Sequence, residues 1–599
     1  MQNSKWLAVN PACKHFRLLY LPWKDAIYME PNCNSSNASA ADLLFYNGVI
    51  YTADDSDSIV EALAVKMGQV IFTGSSSDAL ALHGASAEKV DLQGKMVLPG
   101  FIDTHIHAPG RVLADLYSIS LYEADSSEAI LRQVKAYIAA NPEPEIYYGE
   151  GFSLGHFSGD EVSKGPRKER LDQICPDKPV VLYSSDCHLA WLNSRALQQF
   201  GVDRNTDTPA GGVIEKDPQT GELWGTLKEA AMRFIPVQAF SNQQMKEAIA
   251  VFQSYMHSLG YTGLLSVSIA SDPPLDLFYS MAKQGDLKLH VASSVTIEPE
   301  GDLKTQIRQL EKMRESYNYG NHSVATAKFF ADGVVEGATA YLLEPYEPAA
   351  DRGPDYRGEF LWNLSNLAEA FRLANSAGFQ VHVHSIGDAS TRLVLDALEK
   401  ARAGAPKGDY RNTVTHLQLV DSTDLARFKE LDLIAAVQPY WHCKEPDWWE
   451  AVDHYLLGER AEHEYPLQSF IRAGVMVASS SDHPVTPVPN PLRAIRAGVT
   501  RNLTCAESYG LPELKDLDDE RWLLGSDERA SLTNMIKSFT INAAYAIFRD
   551  HLTGSLQSGK CADLVVLDCD LFTLDPLKIE KARVLKTYFN GEPVFELKE

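Results

Sequence analysis

From residue 41 onward the chain alternates short β-patterned runs with turns. Asp42-Leu-Leu-Phe-Tyr-Asn-Gly-Val-Ile-Tyr-Thr52 reads as two strands hinged at Asn47-Gly48, a strong hairpin signal because both residue types accept positive φ. Ala62-Leu-Ala-Val-Lys-Met-Gly-Gln-Val-Ile-Phe-Thr-Gly74 repeats the pattern, and 95–99 adds another strand. The same signature returns at 554–568 and 584–595, with a second Asn-Gly pair at 590–591. Strands this short and turn-rich predict a small β-sandwich. The economical arrangement draws it from both ends of the chain around a central body.

Between about 100 and 545 the pattern changes to apolar runs separated by helical periodicity. Candidate strands are 179–183, 264–268, 287–292, 325–330, 380–384, 413–416, 434–437 and 475–478, with helical segments such as 366–377 and 390–402 between them. Alternating βα units predict a parallel sheet, and eight or so predict a closed barrel, so the fold class is α/β. Residues from about 111 to 235 exceed what one βα unit needs and predict an insertion. The first 40 residues show no sustained period and end in Asn-Ser-Ser-Asn-Ala-Ser-Ala. The expected division is an N-terminal extension (1–40), the first part of a β-sandwich (41–98), a barrel (99–547) with its insertion, and the second part of the sandwich (548–599).

Composition narrows the function classes. Hydrophobic residues make up 45% and charged residues 23% of the 599, the balance of a folded globular chain. The 80 acidic against 55 basic residues leave a formal charge of −25, which repels phosphate backbones and anionic lipid, so neither nucleic acid nor a membrane surface is an expected partner. Eight cysteines without a Cys-x-x-Cys form neither a disulfide framework nor a zinc finger and suit a reducing compartment. No apolar run approaches the roughly 18 residues of a membrane span, and no clean secretory leader is present. The expected location is the cytoplasm, and a homodimer is the ordinary expectation for such a chain.

The candidate chemistry sits at strand ends. His105 and His107 alternate on a presumed strand and so project from one face, which in a barrel is the interior at its C-terminal mouth. Lys328 lies within the apolar run Ala325-Thr-Ala-Lys-Phe-Phe330, where an ammonium is costly. Carbamylated by CO₂, that side chain becomes an anionic oxygen ligand able to bridge two metals. His384 ends Val381-His-Val-His, with His382 one layer deeper as a packing or supporting residue. His416 ends Thr413-Val-Thr-His, and Asp482 follows Val475-Met-Val-Ala-Ser-Ser-Ser481. Nitrogen and oxygen donors of this kind suit Zn²⁺ and related divalent ions with a position left for water.

Taken together these motifs resemble the amidohydrolase superfamily, specifically the amidohydrolase-3 type that includes N-substituted formamide deformylases. The matching stretches are Pro-Gly-Phe-Ile-Asp-Thr-His-Ile-His (99–107), Lys-Phe-Phe-Ala-Asp-Gly (328–333), Val-His-Ser-Ile-Gly-Asp (383–388), Thr-His-Leu-Gln-Leu-Val (415–420) and Ser-Asp-His-Pro-Val (481–485). Ser-Asp-Cys-His-Leu-Ala-Trp-Leu-Asn-Ser (185–194) and Ala-Gly-Gly-Val-Ile (210–214) add two more within the insertion. The resemblance covers residues 41 to 599. It implies a distorted (β/α)₈ TIM barrel beside a composite β-sandwich. It also implies metal ligation by His105, His107, carboxylated Lys328, His384, His416 and Asp482, with Asp482 as proton shuttle. The extension at 1–40 is outside its pattern.

The reaction expected is hydrolysis of a non-peptide C–N bond in a small amide-type substrate, an N-substituted formamide or acyl amide. Asp482 would take the proton of an activated water and return it to the leaving nitrogen. Alternatives are a cyclic amidase or deaminase with the same centre, or a non-catalytic binding or signalling protein on this fold. His188, Trp441 and His483 are the candidate substrate contacts, with Trp191 and His442 as further aromatic candidates. The aromatic run at 439–449 would wall an apolar pocket.

Overall fold

The computed structural model describes residues 40–598 apart from 210 and 268–273, so all but the last residue of the expected N-terminal extension lies outside the described residues. Eight parallel strands form the central sheet, paired in chain order: Phe101–Ile106, Tyr261–Ser266, His290–Thr296, His322–Phe330, Gln380–Ser385, Thr413–His416, Ile434–Val437 and Met476–Ser479. The outer two meet at their C-terminal ends. Thr104 Oγ1 donates to the Ser479 carbonyl at 3.0 Å, and the Asp482 amide donates to the His105 carbonyl at 2.8 Å. The sheet thereby curls into a nearly closed barrel.

The strands are apolar on both faces because helices cover the outside and side chains fill the inside. One helix illustrates how. Asn363 caps Leu364–Ser376, its side chain accepting from the amides of Ser365 and Asn366. Leu367, Ala370, Phe371 and Ala374 then fall on one buried face at helical spacing. Phe371 meets Phe329 of the fourth strand edge to face, with ring centroids 4.9 Å apart.

The predicted runs at 413–416 and 434–437 coincide with strands. The run at 287–292 is displaced, because Leu287 and Leu289 are buried in the connection ahead of His290–Thr296. The run at 179–183 belongs elsewhere. Val180–Ser184 lies in a separate six-stranded sheet, ordered Gly212–Lys216, Leu223–Glu229, Leu189–Leu192, Val180–Ser184, Tyr147–Phe152 and Ile119–Ser120. Periodicity finds such a strand but does not say which sheet receives it.

Two further sheets use the chain ends. One orders Gln69–Gly74, Ala62–Lys66, Ala41–Tyr46 and His83–Asp91. In the other, Leu564–Leu567 pairs antiparallel with Met96–Pro99, so both ends of the described chain share a sheet. Phe45 and Leu63 of the first sheet pack in one apolar cluster with Val97, Leu564 and Tyr588 of the second.

The expected hairpin at Asn47-Gly48 does not form: the strands flanking it sit in different sheets. Only Asn47 of the pair adopts positive φ (58°), so the two-residue turn is not made, and a Cβ on Gly48 would overlap Leu92. At Asn590 (φ 49°) and Gly591 (φ 73°) both residues are left-handed, and the hairpin joining Val584–Phe589 to Glu592–Glu596 does form. The six described cysteines are all free. Among the described residues no helix is long and apolar enough to cross a membrane.

Candidate metal centre

The strand ends converge on one cavity, with about 530 Å³ of open space including its mouth, lined by His105, His107, Lys328, His384, His416 and Asp482. The first strand, Phe101–Ile106, is buried along its whole length and carries His105, with His107 one residue past its end. His416 and Asp482 both hold positive φ (76° and 55°), a costly state for non-glycine residues that turns each side chain into the mouth. The tie from the Asp482 amide to the His105 carbonyl keeps Asp482 in place.

Asp482 Oδ1 lies 3.2 Å from His105 Nε2 and 3.1 Å from His107 Nε2, and its Oδ2 lies 3.8 Å from His416 Nδ1. Despite this proximity Oδ1 receives no aligned hydrogen bond. One ligand atom each from His105, His416 and Asp482 lies within 4.8 Å of the others. Buried donors that crowd one point without bonding to each other fit a divalent cation. Lys328 Nζ is 3.5 Å from His105 Nε2. His384 packs its ring on His416, centroids 4.5 Å apart, and its Nε2 reaches the Gly333 carbonyl at 3.1 Å.

The electrostatics keep the imidazoles of His105, His384 and His416 neutral. Burial, then the Lys328 charge, pushes His105 down to about 3. Burial and neighbouring imidazoles hold His384 and His416 well below the ordinary histidine value. Burial opposes the charge on Asp482, yet the imidazoles of His105, His107 and His416 hold it well below the usual carboxylate range. Burial lowers Lys328, fully enclosed in the barrel, to about 7.

Supporting residues fix the donors. Gln438 Oε1 is 3.1 Å from His416 Nδ1, while its amide nitrogen donates to Ser480 Oγ at 2.8 Å. Asp103 accepts the amides of His105 at 3.0 Å and Ser481 at 3.1 Å, joining the first strand to the segment before Asp482. Asp332 accepts the amides of Tyr341, Ile386 and Gly387, binding the loop after Lys328 to the loop after His384.

Of the expected substrate contacts, His188 and Trp441 line the cavity. Burial would lower His188, but Glu229, 2.8 Å away, overrides it and raises the imidazole to about 9. The Trp441 indole stacks on His416, centroids 6.0 Å apart at 16°. His483 does not line the cavity: its Nδ1 meets the Thr486 carbonyl at 3.0 Å and its ring stacks on Phe252. Trp191 packs between Phe152 and Phe157, and His442 stacks on Tyr465. Sequence reasoning passed over Gln438, Glu336 and Gln418. Gln438 directly follows an apolar strand, the same signal that singled out His384; the other two lie in loops with no period to mark them.

Comparison with known proteins identifies the family. A family model described as the amidohydrolase family matches residues 88–595. Protein LONG AFTER FAR-RED 3 of Arabidopsis thaliana is 29% identical over 590 residues, covering 96% of each chain. The N-substituted formamide deformylase of Arthrobacter pascens is 25% identical over 564 residues, covering 92% of this chain and 97% of that one. A crystal structure of an uncharacterized metal-dependent hydrolase from Pyrococcus furiosus superposes with a TM-score of 0.64 at 25% identity, covering 90% of this chain and all of that one. The chain belongs to the amidohydrolase family of metal-dependent hydrolases, which act on carbon–nitrogen bonds.

Proposed function

We propose that the protein hydrolyses a non-peptide C–N bond in a small amide-type substrate, an N-substituted formamide or acyl amide. In this reading residues 99–547 form the catalytic barrel, 111–235 its insertion, and 41–98 with 548–599 a flanking β-sandwich. His105, His107, His384, His416 and Asp482 would hold one or two divalent ions, with Zn²⁺ the best match to the donors. Lys328, as its CO₂-derived carbamate, would complete a two-metal site.

When bound, a divalent ion supplies Lewis-acid polarisation and lowers the pKa of water toward about 7. Asp482 orients the attacking water, takes one of its protons, and gives that proton to the amide nitrogen as the C–N bond breaks. Its depressed pKa keeps it ionised. His188, protonated beside Glu229, directs an N–H donor at the substrate. Trp441 bounds the space the substrate enters.

The observation that carries this reading is the meeting of His105, His416 and Asp482 donor atoms within 4.8 Å in a buried cavity. The test loads the full chain with Zn²⁺, measures bound metal by mass spectrometry, and assays N-substituted formamides, acyl amides, cyclic amides and aminated heterocycles. Turnover confined to the open-chain amides is expected. Stoichiometric metal with no turnover on any of the panel would sink the proposal.

A further inference from the structure

One wall of the cavity carries a carboxylate that the hydrolytic chemistry does not use. Glu336, on the loop after the fourth barrel strand, lines the cavity with only 6% of its surface exposed, and its Oε2 meets no hydrogen-bond donor. Its position is fixed from both sides. Thr339 Oγ1, three residues on, accepts the Val334 amide at 3.0 Å and donates to Glu229 Oε1 at 2.6 Å, tying this loop to the inserted sheet.

Glu336 belongs to a buried acidic group. Asp453 and Glu464, each 1% exposed, also carry an oxygen with no donor. Gln418 satisfies only the other oxygen of Glu464, at 2.8 Å. Burial, then mutual repulsion, raises all three carboxyls well above the ordinary range. The buried guanidinium of Arg501 acts on Glu464 through charge, but it donates to the carbonyls of Leu524 and Glu464 and its Nη1 meets no partner. Held neutral, these groups bury no charge, and a cation able to hydrogen-bond is what would offset the cost of ionising one of them. Of the three acids only Glu336 lines the cavity; protonated His188 acts on it through charge, yet Glu336 Oε2 stays without a donor, which a ligand can supply. The same cavity is lined by Trp448, an aromatic ring of the kind that attracts a cation.

We propose that the cavity selects a cationic amide, one whose side arm ends in a protonated amine, with Glu336 as the receiving carboxylate. This rests on the amide-hydrolase reading and names its substrate class.

The experiment compares monoformylated linear diamines with N-alkylformamides of matching length on the Zn²⁺-loaded full chain. Both kcat/KM and, by calorimetry, binding are measured for the wild type, Glu336→Gln and Glu336→Asp. The expected result is at least a tenfold preference for the charged member, falling at least tenfold in Glu336→Gln and partly kept in Glu336→Asp. Equal treatment of charged and neutral members by the wild type overturns the proposal whatever the variants do. So does a preference that survives in folded Glu336→Gln. If the charged amides bind with a Glu336-dependent preference but none is hydrolysed, the hydrolase reading falls and the cation site stands. If both members are hydrolysed at equal kcat/KM, the cation site falls and the hydrolase reading stands.

Discussion

His105 Nδ1 lies 2.8 Å from His382 Nε2 inside the barrel. Metal ligation through His105 Nε2 would require the His105 proton on Nδ1, so that His105 donates to His382 Nε2. That leaves the Nε2 lone pair of His105 facing Asp482. His382→Phe, which keeps a ring but removes the acceptor, should weaken metal affinity roughly 10- to 100-fold in chelator competition. An unchanged affinity would mean the pair is only packed.

Asp482→Asn keeps the side chain's shape and one ligand oxygen but cannot hold a shuttled proton. Metal content should persist while kcat falls about 10²- to 10⁴-fold. Full turnover with full metal would remove Asp482 from the proton path.

Lys328 is lowered to about 7 by burial, so a substantial share of its amine is neutral near that pH and able to add CO₂, forming an N–C bond and releasing a proton. Metal loading in bicarbonate-free buffer should give sub-stoichiometric metal that bicarbonate restores. Lys328→Ala should lose roughly 10- to 100-fold in metal affinity and regain part of its activity with a short carboxylic acid. A Lys328→Met protein with full metal and activity would rule the carbamate out.

The barrel was legible because each parallel strand is a near-continuous apolar run, so a polar residue at its end stands out. That is how His384, His416 and Asp482 were found, and all three line the cavity. Asn47-Gly48 misled because turn chemistry states which φ values are allowed, while the choice of sheet depends on contacts such as Gly48 with Leu92. His483 was grouped with the substrate contacts for following Asp482, yet strand-end logic does not extend into the turn, where its ring stacks on Phe252. Glu336 was invisible because its meaning lies in the donors it lacks, and those are counted only in three dimensions.

His322 opens the fourth strand, buried, with Nδ1 2.9 Å from the Tyr317 carbonyl and Nε2 3.0 Å from Ser293 Oγ. Burial lowers its pKa from 6.5 to about 4. The folded value lies below the unfolded one, so its contribution is complete above pH 6.5 and is lost as pH falls toward about 4. The loss is on the order of 3 kcal/mol. His322→Gln should flatten the fall of melting temperature across that interval. An acid limb as steep as that of the wild type would assign the sensitivity to other groups.

The pairing of Asp482 with the His105 backbone, and of Thr104 with Ser479, also sets an order of events. The two halves of the centre are made hundreds of residues apart during synthesis, and neither holds its geometry until the barrel's final strand docks on its first. A ribosome-bound chain that has exposed His105 and His107 presents two loose imidazoles rather than a site. Ion capture is therefore expected after barrel closure, and a product truncated before Met476–Ser479 should emerge metal-free even with His105, His107, His384 and His416 intact.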